Sequence, residues 1–323
     1  MERVNCNLCG RNDTQTLFKT QDRAWLVEGS FNLVKCLNCG LIYLNPRPDA
    51  VEMSKYYPPP YFSRVIADGR LSVGDESLMK RDFKLRLKEI VRYKNGGRFL
   101  DIGCLDGYFL AYLKKIGWQV SGVEIDSTAC RFARDKLGLE VFCGELIQAA
   151  YPERYFDVIS LYDVLEHLSN PSAALREIYR ILKDDGLLCI RVPNIDSLEF
   201  RIFKERWLAI DAPRHLFHFQ TRTIKKILEK CGFKYSKITS SSLRAERIWG
   251  YKESLRYLLM EHKWYVPKSY KDSPGQALQY KKPLWKIIVN YLELLIFFPI
   301  SILADCLRKG NNLMVYAGKA KES

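Results

Sequence analysis

Hydrophobic and polar positions divide the chain into regions of different period. Between residues 98 and 240, short apolar runs alternate with amphipathic stretches of helical period. The runs predict strands at 98–103, 119–124, 139–143, 156–162, 186–192 and 233–239, with a last one at 312–318. The amphipathic stretches predict helices at 107–116, 127–138, 171–184 and 221–231, with Gly186 and Gly232 as helix stops. This alternation is that of an α/β fold with a doubly wound sheet. Ahead of it, residues 78–94 carry Leu85, Leu87, Ile90 and Val91 among seven basic side chains and predict a basic helix. Residues 1–45 hold only short strand-like runs. From Asn45-Pro46-Arg47-Pro48 to Tyr56-Tyr57-Pro58-Pro59-Pro60-Tyr61-Phe62 the prolines predict an extended linker. Residues 284–307 are almost entirely apolar, with Lys286, Asn290, Glu293, Ser301, Asp305 and Arg308 falling near one helical stripe.

The stretch Arg98-Phe99-Leu100-Asp101-Ile102-Gly103-Cys104-Leu105-Asp106-Gly107-Tyr108 organises the rest. An apolar run ends in an acid, a glycine turn follows, and a helix begins. The glycines let the backbone turn sharply and admit a ligand close to the main chain. Their spacing, Gly103-x-x-x-Gly107, is not the G-x-G-x-x-G that cradles a pyrophosphate. Asp101 would repel phosphate, so a ligand with a cationic amino group fits better. The second strand ends in Glu124, placed where an acid accepts hydrogen bonds from ribose hydroxyls.

Composition alters this picture in two places. Ten cysteines without an apolar leader argue against a secreted disulfide framework and for a cytosolic protein. Four of them form Cys6-x-x-Cys9 and Cys36-x-x-Cys39, each followed by a glycine. Two such turns complete a tetrahedron of thiolates, which predicts a structural zinc ribbon over residues 1–45. The net charge of +14 invites a nucleic-acid or membrane reading. Residues 244–323 hold 14 Lys/Arg against 7 Asp/Glu, so half of the excess lies in the last quarter.

The stretch around Asp101 closely resembles motif I of class I S-adenosylmethionine-dependent methyltransferases, with Leu105 in place of the usual middle glycine. The blocks Phe156–Leu168 and Leu175–Asn194 resemble the ubiquinone-type O-methyltransferases and their small-molecule relatives, and the likeness runs from about Phe99 to Phe233. This resemblance implies a Rossmann-like, doubly wound seven-stranded sheet with an antiparallel last strand. It implies S-adenosylmethionine as cofactor, held by Asp101 at the methionine amino group, Glu124 at the ribose, and Gly103, Cys104, Gly107, Ile125, Glu145, Leu146 and Tyr162 around them. The implied segments are the ribbon at 1–45, a linker and basic lid helix at 46–95, a core at 96–240, an insertion at 241–310 within the closing hairpin, and the final strand and tail at 311–323.

Asp163, Glu166 and His167 fall at the carboxyl end of the sheet, where α/β ligands bind. In the ubiquinone O-methyltransferases, and in small-RNA 3′-terminal methyltransferases with a later His, a similar cluster binds a divalent cation. His215, in Arg214-His215-Leu216-Phe217-His218, could supply that later ligand. Without metal, His167 or His215 could act as general base. The plain alternative for each is a hydrogen-bonded structural histidine. The layout of Cys-x-x-Cys, Asn-Pro-Arg-Pro and Tyr-Tyr-Pro also resembles bacterial enzymes of small-molecule or saccharide tailoring, with oxygen the first expectation for the acceptor atom. RNA methylation and a non-catalytic binding module are the rival readings. For 284–307 two arrangements are open. One is a helix buried under the lid; the other is an interfacial helix aided by Lys281, Lys282 and Lys286, in peripheral contact with the inner face of a membrane. Its uncharged core is too short to span one.

Overall fold

The computed structural model describes residues 1–57, 73–241, 249–261 and 284–320. The proline run at 58–60 and the lysine pair at 281–282 lie outside the described residues.

Strands β1 (Thr14–Thr20), β2 (Phe31–Cys36) and β3 (Ile42–Leu44) form an antiparallel meander. The linker is not wholly extended: helix α1 (Ala50–Met53) forms one turn, closed by a capping box between Asp49 and Glu52. The basic helix α2 (Val73–Ile90) starts and ends earlier than the sequence pattern predicts. Its Phe83 packs against Phe109, ring centroids 5.3 Å apart, and ties the helix to one face of the main sheet.

That sheet contains β4 (Arg98–Ile102), β5 (Gln119–Glu124), β6 (Glu140–Cys143), β7 (Phe156–Tyr162) and β8 (Leu182–Pro193), all parallel. Helices α3 (Tyr108–Lys115), α4 (Ser127–Leu137) and α5 (Pro171–Ile181) cross between them. Local chemistry sets the helix ends. The Asp126 side chain accepts from the Ala129 amide at 2.7 Å, and Gly138 at φ 59° stops α4 in the left-handed conformation. Asn170 caps α5 with Pro171 in its first turn.

After β8 come α6 (Leu198–Phe203), β9 (Phe217–His218), α7 (Thr221–Lys230) and β10 (Phe233–Ser241), then α8 (Trp249–Glu261), α9 (Leu284–Cys306) and β11 (Asn312–Lys319). The strand order is β10-β11-β8-β7-β4-β5-β6, with β11 antiparallel to both neighbours. This is the seven-stranded Rossmann-like sheet with an antiparallel last strand.

Three expectations are corrected. The helix expected at 171–184 ends at Ile181, because buried Leu182 already pairs with Phe156 and Lys183 bridges to Asp157 at 2.7 Å. Gly186 therefore lies inside β8 and stops no helix. Nor does a boundary at residue 45 separate two cores. β3 pairs with β9, Tyr43 opposite Phe217 and Ile42 opposite His218, so the meander gains a fourth strand from the core region. Leu41, Tyr43 and Leu44 share one hydrophobic cluster with Phe217 and Phe219. Finally, α9 is not a buried helix over its last turns, where Leu295, Ile296 and Leu303 face outward.

Candidate functional site

The turn after β4 is built by backbone conformation. Gly103 has φ 71° and Gly107 φ 79°, and a Cβ on Gly103 would stand 2.4 Å from Val164 Cγ2. Leu105 also takes a positive φ, 50°, and keeps its side chain in solvent, which is how a non-glycine residue is accommodated there.

Asp101 and Glu124 lie at the carboxyl ends of adjacent parallel strands, both buried. Asp101 Oδ1 accepts from Ser160 Oγ at 2.5 Å. Burial pushes its pKa up to about 6, against the Ser160 hydrogen bond and the nearby Arg86 charge. Glu124 accepts three backbone N–H groups, from Leu105 and Ile125 at 2.8 Å and from Asp126 at 2.9 Å. Burial raises its pKa as well, and those amides offset it. The acceptor set fits S-adenosylmethionine: one buried acid to accept from an ammonium group, and one to accept from a pair of hydroxyls, beside a turn without Cβ atoms at its two glycines.

The other expected cofactor residues differ in burial. Cys104 is buried, Leu146 is buried at the turn after β6, and Ile125 is exposed. Glu145 begins that turn and is exposed, its amide donating to Gln148 Oε1 at 2.9 Å. The Tyr162 ring lies beneath the Arg86 guanidinium, 4.3 Å from its centroid.

A second constellation follows β7. Ligand atoms of Glu166, His167 and His215 all lie within 4.8 Å of one another. Among the described residues, no other residue donates a hydrogen bond to either buried carboxylate oxygen of Glu166. Burial, with Asp163 nearby, holds the Glu166 pKa well above the usual carboxylate range. The tautomers follow from the partners, since a carbonyl oxygen only accepts. His167 Nδ1 donates to the Arg214 carbonyl at 3.1 Å, with the Tyr57 hydroxyl also at 3.1 Å. His215 Nδ1 donates to the Ala209 carbonyl at 2.9 Å. Each ring thus keeps an Nε2 lone pair, and the rings meet edge to face at 4.6 Å. Burial and the facing His215 lower the His167 pKa to about 3.

The structure does not place Asp163 in this group. Its carboxylate is held by Arg191, Nε donating to Oδ1 at 2.9 Å and Nη2 to Oδ2. His215 is positioned by what surrounds it. The Leu216 and Phe217 amides donate to the Glu166 carbonyl at 2.9 and 3.1 Å, and β9 continues into the pairing with β3. Arg214, fully buried, donates to Asp22, to Asp211 and to the Tyr56 carbonyl. The pairing of Arg214 with Asp22 had no signal in the sequence, because Asp22 is 192 residues away and has no motif spacing to it.

The four N-terminal cysteines converge. Cys6 Sγ is 3.4 Å from Cys39 Sγ, Cys9 Sγ is 3.5 Å from Cys36 Sγ, and all four sulfurs lie within 4.8 Å of one another. Four convergent thiols with no competing disulfide fit a tetrahedral, closed zinc site.

Comparison with known proteins gives the context. The chain is 32% identical over 96 residues to a probable S-adenosylmethionine-dependent methyltransferase of Mycobacterium tuberculosis, covering 29% of this chain and 35% of that protein. It is 32% identical over 135 residues to a ubiquinone biosynthesis O-methyltransferase of Maricaulis maris, covering 38% and 52%. It is 25% identical over 142 residues to a malonyl-[acyl-carrier protein] O-methyltransferase of Serratia marcescens, covering 44% and 55%. The chain thus spans between about a third and just over half of these curated relatives. A solved S-adenosylmethionine-dependent methyltransferase of Archaeoglobus fulgidus is similar at 23% identity and a TM-score of 0.48, over 74% of this chain and 94% of that one. Residues 76–238, half of the chain, match the family model described as a methyltransferase domain, and the protein belongs to that family.

Proposed function

We propose that the protein transfers a methyl group from S-adenosylmethionine to an oxygen of a small-molecule or saccharide acceptor. The observation that carries this reading is the buried pair Asp101 and Glu124 at adjacent strand ends, in a chain of the methyltransferase-domain family. Two of the proteins it matches are named O-methyltransferases, which supports oxygen as the acceptor atom.

S-adenosylmethionine, when bound, supplies a methyl group activated on a sulfonium. In this reading Asp101 binds the amino group and Glu124 the ribose hydroxyls, while Ile125, Glu145 and Leu146 border the base. Cys104, Gly103, Gly107 and Tyr162 close the surrounding wall. Held there, the cofactor would offer its methyl carbon to an acceptor oxygen for in-line displacement, with the carbon–sulfur electron pair going to sulfur. Holding the two in line supplies much of the rate enhancement. His215 Nε2 takes the hydroxyl proton, and Asp211, 3.9 Å away, stabilises the resulting imidazolium. His167, which burial keeps neutral, orients the acceptor. The N-terminal cysteines Cys6, Cys9, Cys36 and Cys39 hold a structural zinc.

Calorimetry tests the cofactor site: Asp101→Ala and Glu124→Ala should each weaken S-adenosylmethionine binding about tenfold or more. Unchanged binding in both overturns the assignment.

A second reading is favoured by one observation, the buried Glu166 carboxylate without a donor beside two Nε2 lone pairs. Glu166, His167 and His215 would then hold a divalent cation, which lowers the pKa of an acceptor hydroxyl and orients it. Mild chelation that leaves the cysteine site loaded separates the two readings. Lost turnover, restored by added magnesium or manganese, supports the cation; retained turnover supports the histidine base.

A further inference from the structure

Over its described side chains, from Leu295 onward, helix α9 is inside out. At 100° per residue, Leu295, Ile296, Phe298, Ile302 and Leu303 occupy an arc of about 160°. All five are exposed, from 40% at Ile302 to 69% at Leu295. The opposite face carries Ser301 and Ala304, both fully buried, with Phe297 and Ile300 partly buried beside them. A helix on a water-facing surface has the reverse arrangement, with its large apolar residues inward. Single exposed leucines are ordinary, but a contiguous apolar face marks an interaction surface.

From this face we infer that α9 docks the protein on an anionic lipid bilayer, lying in its interface. The outward arc from Leu295 to Leu303 holds no charged side chain. Arg308, exposed, follows the helix directly. The last 80 residues carry half of the chain's positive excess, 14 Lys/Arg against 7 Asp/Glu from 244 to 323. In the sequence Lys281, Lys282 and Lys286 lie at the start of this helix, and basic residues next to an apolar helix face complement anionic headgroups and acyl chains together. Among the described residues no helix is long and apolar enough to cross a membrane, so α9 lies on the surface.

The anchoring of α9 fixes the orientation. Just beyond the helix, the Gly310 carbonyl accepts from Asn194 at 2.9 Å, and Lys309 bridges to Asp196. Asn194 follows β8 at the carboxyl edge of the sheet, so the docking face is tied to the same edge that carries Asp101 and Glu124. The inference rests on α9 and the charge of the chain around it, and stands whether or not methyl transfer to oxygen is correct.

The test is co-sedimentation of the full chain with phosphatidylcholine vesicles, with and without phosphatidylglycerol, at low and high salt. Wild type should bind the phosphatidylglycerol vesicles and be weakened by salt. The double variant Phe298→Gln/Leu303→Gln should lose binding by about tenfold or more. Val51→Gln, an exposed apolar position far along the chain, should bind as wild type. An independent readout uses Cys306, the only exposed cysteine among the described residues, which lies on the outward arc. An environment-sensitive fluorophore there should shift to the blue with phosphatidylglycerol vesicles in the otherwise unaltered chain. Wild type that stays in the supernatant at low salt overturns the inference. So does a double variant that binds as well as wild type, or binding indifferent to phosphatidylglycerol. A dimer that the double variant breaks and vesicles fail to dissociate would instead assign the face to a second copy.

Discussion

Asp22 and Arg214 face each other with no exposure to solvent, the Arg214 Nη2 donating to Asp22 Oδ1 at 2.7 Å and Nη1 to Oδ2 at 3.1 Å. Asp22 belongs to the loop between β1 and β2, and Arg214 immediately precedes His215 in the candidate site. The guanidinium has further acceptors in Asp211 and the Tyr56 carbonyl, while the Arg214 carbonyl fixes the His167 tautomer. One buried cation thus joins the N-terminal meander to both histidines.

Removing one partner of a buried pair leaves the other charge uncompensated, so Asp22→Ala should destabilise the protein by about 3–5 kcal/mol. Arg214→Ala should cost a similar amount. Urea denaturation of both single variants and the double variant checks this: the double should lose clearly less than the sum, because the two residues share one interaction.

The Asp101 carboxyl is held near pKa 6 in the folded protein, above its ordinary 3.8. The native state therefore binds more protons than the unfolded chain between those values. Its contribution to stability is present below pH 3.8 and is lost as pH rises through 6. Asp101→Asn lacks that loss and should be more stable than wild type at pH 7 by up to about 3 kcal/mol, while binding S-adenosylmethionine more weakly. Urea melts of both proteins from pH 4 to 7 should show the difference opening with pH. A constant difference would place the Asp101 proton elsewhere.

Two positive-φ positions of the β4–α3 turn, Gly103 and Leu105, should respond differently to substitution. Gly103→Ala adds a Cβ 2.4 Å from Val164 Cγ2 at φ 71°, and should cost on the order of 2–4 kcal/mol and disrupt the cofactor turn. Leu105→Gly relieves a positive φ of 50° on an exposed side chain and should change stability by less than about 1 kcal/mol. Thermal melts with and without S-adenosylmethionine distinguish the two effects.

Cys9→Ser should release the proposed zinc and unfold the cysteine knuckles, since metal binding and folding are coupled there. The damage should extend past the meander. β9 pairs with β3, so His215 and His218 lose their support while the strands bearing Asp101 and Glu124 remain. The expected signature is turnover lost with S-adenosylmethionine affinity kept within about threefold, read by metal analysis, calorimetry and activity together. Loss of cofactor affinity alongside turnover would show that the meander supports the whole sheet.

What the sequence determined by itself was the local and periodic part. The runs at Phe99–Ile102 and Phe156–Tyr162 became central strands because a parallel strand buried on both faces is mostly apolar, with Asp101, Asp157 and Ser160 the polar exceptions. Asp101, Gly103, Gly107 and Glu124 were legible because a strand–turn–helix unit fixes their spacing along the chain. The cysteine pairs were legible because each Cys-x-x-Cys turn brings its two sulfurs together. Long-range pairing decided the rest. Gly186 reads as a helix stop locally, yet pairing of Leu182 with Phe156 drew the chain into β8 four residues earlier. Asp163 reads as a ligand beside Glu166 and His167, but Arg191 on the neighbouring strand claims it. The two-residue β9 carries no periodicity, and only its partner β3 makes it a strand. In α9 the periodicity gave an apolar helix without saying which face meets the protein. That depended on packing: contact with Tyr251 drew the face of Phe297, Ser301 and Ala304 inward and left the large apolar face outside.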